Sequence, residues 1–317
     1  MPSFFLFILI YFLSFMYVLC IDDWILVWFG MELNMMSYIV LIYKRYSILV
    51  MESCLKYFII QSLGSAIFLM MIYSNFIEVS LVSFILSYKL GVGPFYYWFP
   101  SLCSGLNWIA CFYLMTIQKI IPLFLLSMFT NKFMWFIIII SLLVGIFGAF
   151  NQVDIKQLLA YSSIHHVGWI MYLFYSKDML WMWYLLIYFM ILMNIFIFLM
   201  KYDIFIISIL MSCKNIFWFM VGILSLGGLP PFLGFFLKWI AFYYIIDVSL
   251  LIMVFLIFIS VGMLYIYMRM LYDMLMLNSI NMGFLSQHAS QSWIFMFDCL
   301  NMFGFVLGIM LSLLIMM

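Results

Sequence analysis

The sequence predicts an all-α polytopic membrane protein with about eleven transmembrane helices and inverted repeats built around broken helices. Three observations lead there. First, 70% of the 317 residues are hydrophobic and 7% are charged, whereas a soluble domain carries about 25% charged residues. So much apolar surface requires lipid as its solvent. Second, polar breaks divide the chain into pieces near the roughly 20 residues that a spanning helix needs. Third, two of these pieces are interrupted by clustered glycine and proline.

Taken in order, the expected spans are 3–21, 24–43, 53–74, 78–98, 105–128, 133–150, 155–175, 181–200, 214–246, 249–272 and 298–317. The piece 214–246 is too long for one helix. Its centre reads Gly227-Gly228-Leu229-Pro230-Pro231, which predicts two half-helices around a break. The first break motif lies near 89–100 and the second near 225–239. The stretch 273–297 reads as the one long polar loop. Nothing resembles a soluble domain, so residues 1–317 form a single transmembrane domain. The start is apolar from Phe4 onward and reads as a first spanning helix, not as a signal or transit peptide.

Composition also excludes several functions. A net charge of +1 is too small to suggest nucleic acid as a partner. The six cysteines (Cys20, Cys54, Cys103, Cys111, Cys213 and Cys299) form no C-x-x-C pair and read as small hydrophobes. There is no N-x-[ST] sequon. The 31 Met and 37 Phe against Arg45 and Arg269 alone suit an AT-rich organelle genome that reads an extra codon as Met. Basic residues set the orientation. Lys44, Arg45, Lys156, Lys201, Lys214 and Arg269 fall on one side, and Lys132 and Lys177 on the other. With an odd number of spans, the N-terminus lies on the first, inner side and the C-terminus across the membrane.

Four charged residues fall near the centres of their segments: Glu32, Lys89, Lys119 and Lys238. Each costs about 2.5–3.5 kcal/mol at a helix centre on insertion scales, so the four together cost on the order of 10 kcal/mol. They must face protein or water. Lys89 opens Lys89-Leu90-Gly91-Val92-Gly93-Pro94-Phe95, where Pro94 leaves the Leu90 carbonyl without a helical partner. Lys119 lies in Gln118-Lys119-Ile120-Ile121-Pro122, where Pro122 frees the Gln118 carbonyl. Lys238 follows the second break by roughly 10 Å at 1.5 Å per residue. Freed carbonyls in a membrane need other partners or water, so each lysine lies near a place where water can be held.

A lysine carries protons only if it can lose its charge. Burial works toward that and a neighbouring carboxylate against it. A Glu32–Lys89 pair that forms and breaks is therefore a physical means of moving a proton. A static ion pair that fixes packing is the plainer alternative, but it accounts for one lysine and leaves two without a carboxylate. Lys56 can join the path or simply snorkel. Tyr161, Ser162, Ser163, His165 and His166 form a polar cluster in an apolar helix. His166, and with less reason His165, can relay protons or make interhelical hydrogen bonds. His288 falls in the polar loop. Gly91-Val92-Gly93-Pro94-Phe95 and Gly228-Leu229-Pro230-Pro231-Phe232 suggest two related halves, although Lys89 precedes its break and Lys238 follows its own.

Several motifs stand in a telling order. They are Trp28-Phe29-Gly30-Met31-Glu32-Leu33-Asn34-Met35, Lys56-Tyr57-Phe58, Lys89 through Pro100, and Gln118-Lys119 with Pro122. Asn151-Gln152, Leu159 through Ile164 and His166-x-Gly168-Trp169 follow, then Ser225 through Pro231, Gly234-Phe235 and Lys238-Trp239. Together, over residues 24–239, they resemble the family of subunit 2 of mitochondrial NADH–ubiquinone oxidoreductase, an antiporter-like membrane-arm subunit of respiratory complex I. Beyond Lys238 the likeness is one of character alone, and Asp247, Arg269 and the loop receive no role.

The resemblance implies a proton path through Glu32 with Lys89, then Lys119, then Lys238. It implies other membrane-arm subunits of complex I as partners and the mitochondrial inner membrane as location, with the N-terminus in the matrix. No G-x-G-x-x-G fingerprint and no cluster-spaced cysteine set is present. No cofactor is expected in this chain, and flavin, iron–sulfur clusters, NADH and quinone are expected in other subunits. The chain would then be the non-redox, proton-moving part of a translocase. Two alternatives stay open: a structural membrane-arm subunit without its own proton path, and a stand-alone cation/proton antiporter.

Overall fold

In the computed structural model, the described residues are 2–44, 47–74, 78–175, 180–207, 216–230, 232–245 and 250–281. The expected span 298–317, most of the loop 273–297, Arg45, Pro231, Lys177, Lys214, Asp247, His288, Cys213 and Cys299 lie outside them.

The described chain is helical: α1 (Pro2–Cys20), α2 (Trp24–Ile42), α3 (Ile48–Tyr73), α4 (Val79–Leu90), α5 (Trp98–Gly105), α6 (Trp108–Met115), α7 (Ile120–Met128), α8 (Met134–Ala149), α9 (Ile155–Leu173), α10 (Leu180–Tyr202), α11 (Ile216–Gly227), α12 (Leu233–Ile245) and α13 (Leu250–Asn281). Short 3₁₀ turns at Gly93–Phe95 and Ile117–Lys119 join α4 to α5 and α6 to α7. Among the described residues, five segments are long and apolar enough to cross a membrane: Trp24–Ile42, Ile48–Tyr73, Trp108–Met128, Leu180–Tyr202 and Ile252–Tyr272. A sixth is formed by Val79–Phe95 with Trp98–Gly105, bent by 91°.

Two boundaries differ most from expectation: α3 begins at Ile48 and not at residue 53, and the last helix runs on past residue 272. The polar stretch after residue 272 begins as a continuation of α13, which runs through Asn281. Between Asp273 and Asn281 no glycine or proline interrupts the chain and leucine and methionine recur. Polarity ends a membrane span, but it does not end a helix; helix-breaking residues do.

The helices form two compact units. In the first, α1 packs on α2, α2 on α3, α3 on α4 and α5, and α7 on α4 and α1. In the second, α10 packs on α11 and α12, and α13 on α11 and α12. The ends of α8 and the middle of α9 are divided between the units.

Both breaks are made in the same way. At the end of α4, Gly91 has φ 67°. Its N–H donates to the Tyr88 carbonyl and the Val92 N–H donates to the Ser87 carbonyl, each at 3.1 Å. At the end of α11, Gly228 has φ 71°. Its N–H donates to Ser225 at 3.0 Å and the Leu229 N–H to Leu224 at 3.3 Å. This is a Schellman cap, which needs a left-handed residue that glycine supplies without strain. The first helix thus ends before Pro94. The left-handed glycine stops it, and the proline only forbids its resumption.

Candidate functional site

The first unit builds a polar centre from four helices. Glu32 on α2 is half-buried, and its Oε1 accepts a hydrogen bond from the Ser65 hydroxyl on α3. Lys89, in the last turn of α4, is buried at 6% exposure. Its Nζ lies 3.7 Å from the Met31 sulfur, near enough to Glu32 for the two charges to act on each other. The two do not form a direct ion pair. Lys56 and Glu52 do form an ion pair, at 2.7 Å.

Local structure explains how Lys89 fits. Gly64 on α3 faces the lysine stem, and a Cβ there would come within 2.9 Å of Lys89 Cγ. The Schellman cap leaves the Lys89 carbonyl for an outside donor, and Gln61 Nε2 fills that role at 2.9 Å. Trp98 Nε1 donates to the Tyr88 carbonyl at 3.3 Å. A break in an apolar helix exposes carbonyls that lipid cannot satisfy, and these two side chains cover them.

Lys119 closes the 3₁₀ turn between α6 and α7 and is 4% exposed. The interruption begins at Thr116, whose hydroxyl donates to the Phe112 carbonyl at 2.7 Å. Pro122 stands in the first turn of α7, where its missing N–H costs nothing. The Lys119 Nζ lies over the Phe99 ring, 4.5 Å from its centre, a cation–π contact.

Lys89 and Lys119 line one cavity of about 40 Å³, shared with Asn34, Tyr57, Gln61 and Gln118 on its polar side. Since one water needs about 10–15 Å³ of such volume, it can hold two or three waters. Several lining groups already point their donors at the protein. Asn34 Nδ2 donates to Ser14 at 3.0 Å, and the Tyr57 hydroxyl donates to Gln118 Oε1 at 3.4 Å.

In the second unit, Lys238 on α12 is 7% exposed, and its Nζ donates to the Gly227 carbonyl at 2.5 Å. It therefore caps the carboxyl end of α11, where the helix dipole favours a cation. His165 and His166 are both buried on α9. His165 packs against Gly145, where a Cβ would come within 2.6 Å of the histidine Cβ. Lys56 sits on the opposite, exposed face of α3, in its pair with Glu52, and does not line the cavity. Lys156, read from sequence only as an inner-side charge, is 6% exposed, with its ammonium 4.6 Å from the centre of the Phe205 ring.

Sequence reading by depth missed Gln61 and Ser65, and gave Tyr57 and Gln118 no role. A signal was available. Ser53, Tyr57, Gln61 and Ser65 recur every four residues along α3, a polar stripe on one face of an apolar helix.

Residues 71–264 match the family described as NADH:quinone oxidoreductase/Mrp antiporter, TM. NADH-ubiquinone oxidoreductase chain 2 of Anopheles gambiae is 36% identical over 281 residues, covering 81% of each chain. The chain belongs to the NADH-ubiquinone oxidoreductase chain 2 family. Chain 2 of Locusta migratoria is 33% identical over 293 residues, covering 86% of this chain and 82% of the relative. The fold also matches a chain in the structure of respiratory complex I from Thermus thermophilus with bound aureothin. There the TM-score is 0.75 at 21% identity, covering 98% of this chain and 79% of that one. A chain of an archaeal membrane-bound sulfane sulfur reductase matches with TM-score 0.76 at 18% identity, over 96% and 72% of the two chains. The chain thus shares its fold with chains of two respiratory membrane complexes.

Proposed function

We propose that this chain is a proton-translocating membrane-arm subunit of respiratory complex I in the mitochondrial inner membrane. It couples electron transfer from NADH to ubiquinone, carried out on cofactors in other subunits, to proton movement across the membrane. The carrying observation is the cavity shared by Lys89 and Lys119. Two buried amines on one polar, water-sized space can exchange a proton through water, whereas a purely structural subunit gains nothing from leaving that space open in its core.

In this reading Glu32 and Lys89 load the path, Lys119 holds the proton at its centre, and Lys238 is its terminal carrier. The carboxylate modulates Lys89 through space and not by direct contact, so small movements of α2 against α4 alter its hold on the proton. His166 and His165 are lower-ranked relay groups. The repeated Schellman breaks support an inverted-repeat architecture, and the count of about eleven spans follows from the apolar segments of the sequence. The N-terminus is assigned to the matrix side and the C-terminus to the intermembrane space, following the basic residues.

The test is Lys119→Met in the assembled complex. The variant keeps the side-chain volume and removes the proton site. Co-migration with NADH dehydrogenase activity on a native gel, together with reduced proton movement per NADH, is the expected result. Full pumping from a correctly assembled variant would overturn the assignment.

A further inference from the structure

Gln118 precedes Lys119 in the 3₁₀ turn between α6 and α7. It lines the cavity beside Lys119. Its Oε1 is held by the Tyr57 hydroxyl at 3.4 Å, so the amide is turned with its nitrogen as the remaining polar end. That nitrogen is buried and has no hydrogen-bond partner within the protein. The Tyr11 hydroxyl on α1, also buried, interacts with the Gln118 side chain without completing a hydrogen bond to it. An amide nitrogen carries two N–H groups. One at most can serve Tyr11, which leaves the other for the cavity. Buried amide N–H groups are almost always satisfied, by water where protein is absent.

We infer that Gln118 is a positioning residue for proton transfer between Lys89 and Lys119, donating from Nε2 to the water that bridges them. The inference rests on the proton-path reading above and assigns that path its orienting group. A water that accepts from Gln118 has one lone pair committed. Its remaining lone pair receives a proton from the Lys89 ammonium while one of its own protons passes to a neutral Lys119 amine. The net change is one N–H broken on Lys89 and one formed on Lys119, with the water restored. Tyr57 acts one step further back, since its hydroxyl keeps the amide from turning its oxygen into the cavity.

The test compares Gln118→Leu, Gln118→Asn, Tyr57→Phe and Tyr57→Phe combined with Gln118→Leu in the assembled complex, with Lys119→Met alongside. Protons moved per NADH and the solvent deuterium isotope effect are measured at matched levels of assembly. Gln118→Leu should slow transfer about tenfold, the rate effect of losing one positioning hydrogen bond, and raise the isotope effect. Gln118→Asn, which retains an amide, should recover part of the loss. Tyr57→Phe should lower the yield by itself and add nothing to Gln118→Leu. Normal pumping by Gln118→Leu while Lys119→Met fails would remove the inference and leave the path. Normal pumping by both would remove the path as well. Additive losses in the double variant would show that Tyr57 does not act through Gln118. If Gln118→Leu does not assemble, Tyr57→Phe decides alone, and an unchanged yield overturns the inference.

Discussion

Lys238 reaches back across the second helix break to the carbonyl of Gly227. The residue next to that carbonyl, Gly228, has no side chain to block it. A Cβ on Gly228 would stand 2.8 Å from Lys238 Cδ and 2.9 Å from Cε. The break and the lysine are therefore one device. The left-handed glycine stops α11, and the stop presents a carbonyl to the ammonium.

Gly228→Ala should disrupt this device twice over. The left-handed conformation costs an alanine about 1–2 kcal/mol, and the methyl group pushes the lysine stem away. Reduced thermal stability of the complex is expected, with lowered coupled turnover at permissive temperature. A thermal scan of the purified complex checks the first, and NADH-driven proton uptake into vesicles checks the second. Stability equal to the parent would contradict the geometry at this turn.

Gly64→Val tests the seating of Lys89. Added carbon at this position meets Lys89 Cγ and Cε and drives the side chain out of the cavity. Proton movement per NADH should fall several-fold at matched levels of assembly. Gly64→Ala should give a smaller loss, scaled to the smaller intrusion.

Ser65→Ala removes the hydroxyl that donates to Glu32. Loss of one hydrogen bond to a charged acceptor costs about 1.5–3 kcal/mol in its local balance. The carboxylate then turns more freely toward Lys89. Coupled turnover should drop modestly, and less than in Glu32→Gln, which removes the charge itself. Equal losses in the two variants would mean that Ser65 does more than orient the carboxylate.

Gln61→Leu leaves the Lys89 carbonyl without its donor at the broken end of α4. An unsatisfied buried carbonyl costs about 1–3 kcal/mol. Accelerated hydrogen exchange in residues 87–92 is expected, with α1 unchanged as an internal control. Protection equal to the parent in that segment would show that another group satisfies the carbonyl.

Much of this protein is legible without coordinates. Apolar runs of spanning length mark the helices because lipid tolerates nothing else. Gly227 through Pro231 announces a break because backbone chemistry alone forbids a continuous helix there. Glu32, Lys89, Lys119 and Lys238 stand out because charge at such positions is too costly to be incidental.

What the sequence alone could not decide is which of these groups meet. Depth in the membrane places a residue along one axis; helix packing sets the other two. Lys56 and Tyr57 are chain neighbours, yet one lies on the exposed face of α3 with Glu52 and the other lines the cavity. Glu32 and Lys89 were expected as a contact pair, but Ser65 and Met31 take the near positions. Gln118 is one residue from the most prominent charge in its helix, and only the 3₁₀ turn brings the two side chains onto one cavity. Composition, break residues and charge cost are local properties and are written in the chain. The shared space between Lys89 and Lys119 arises from the packing of α2 through α7, and only the tertiary structure decides it.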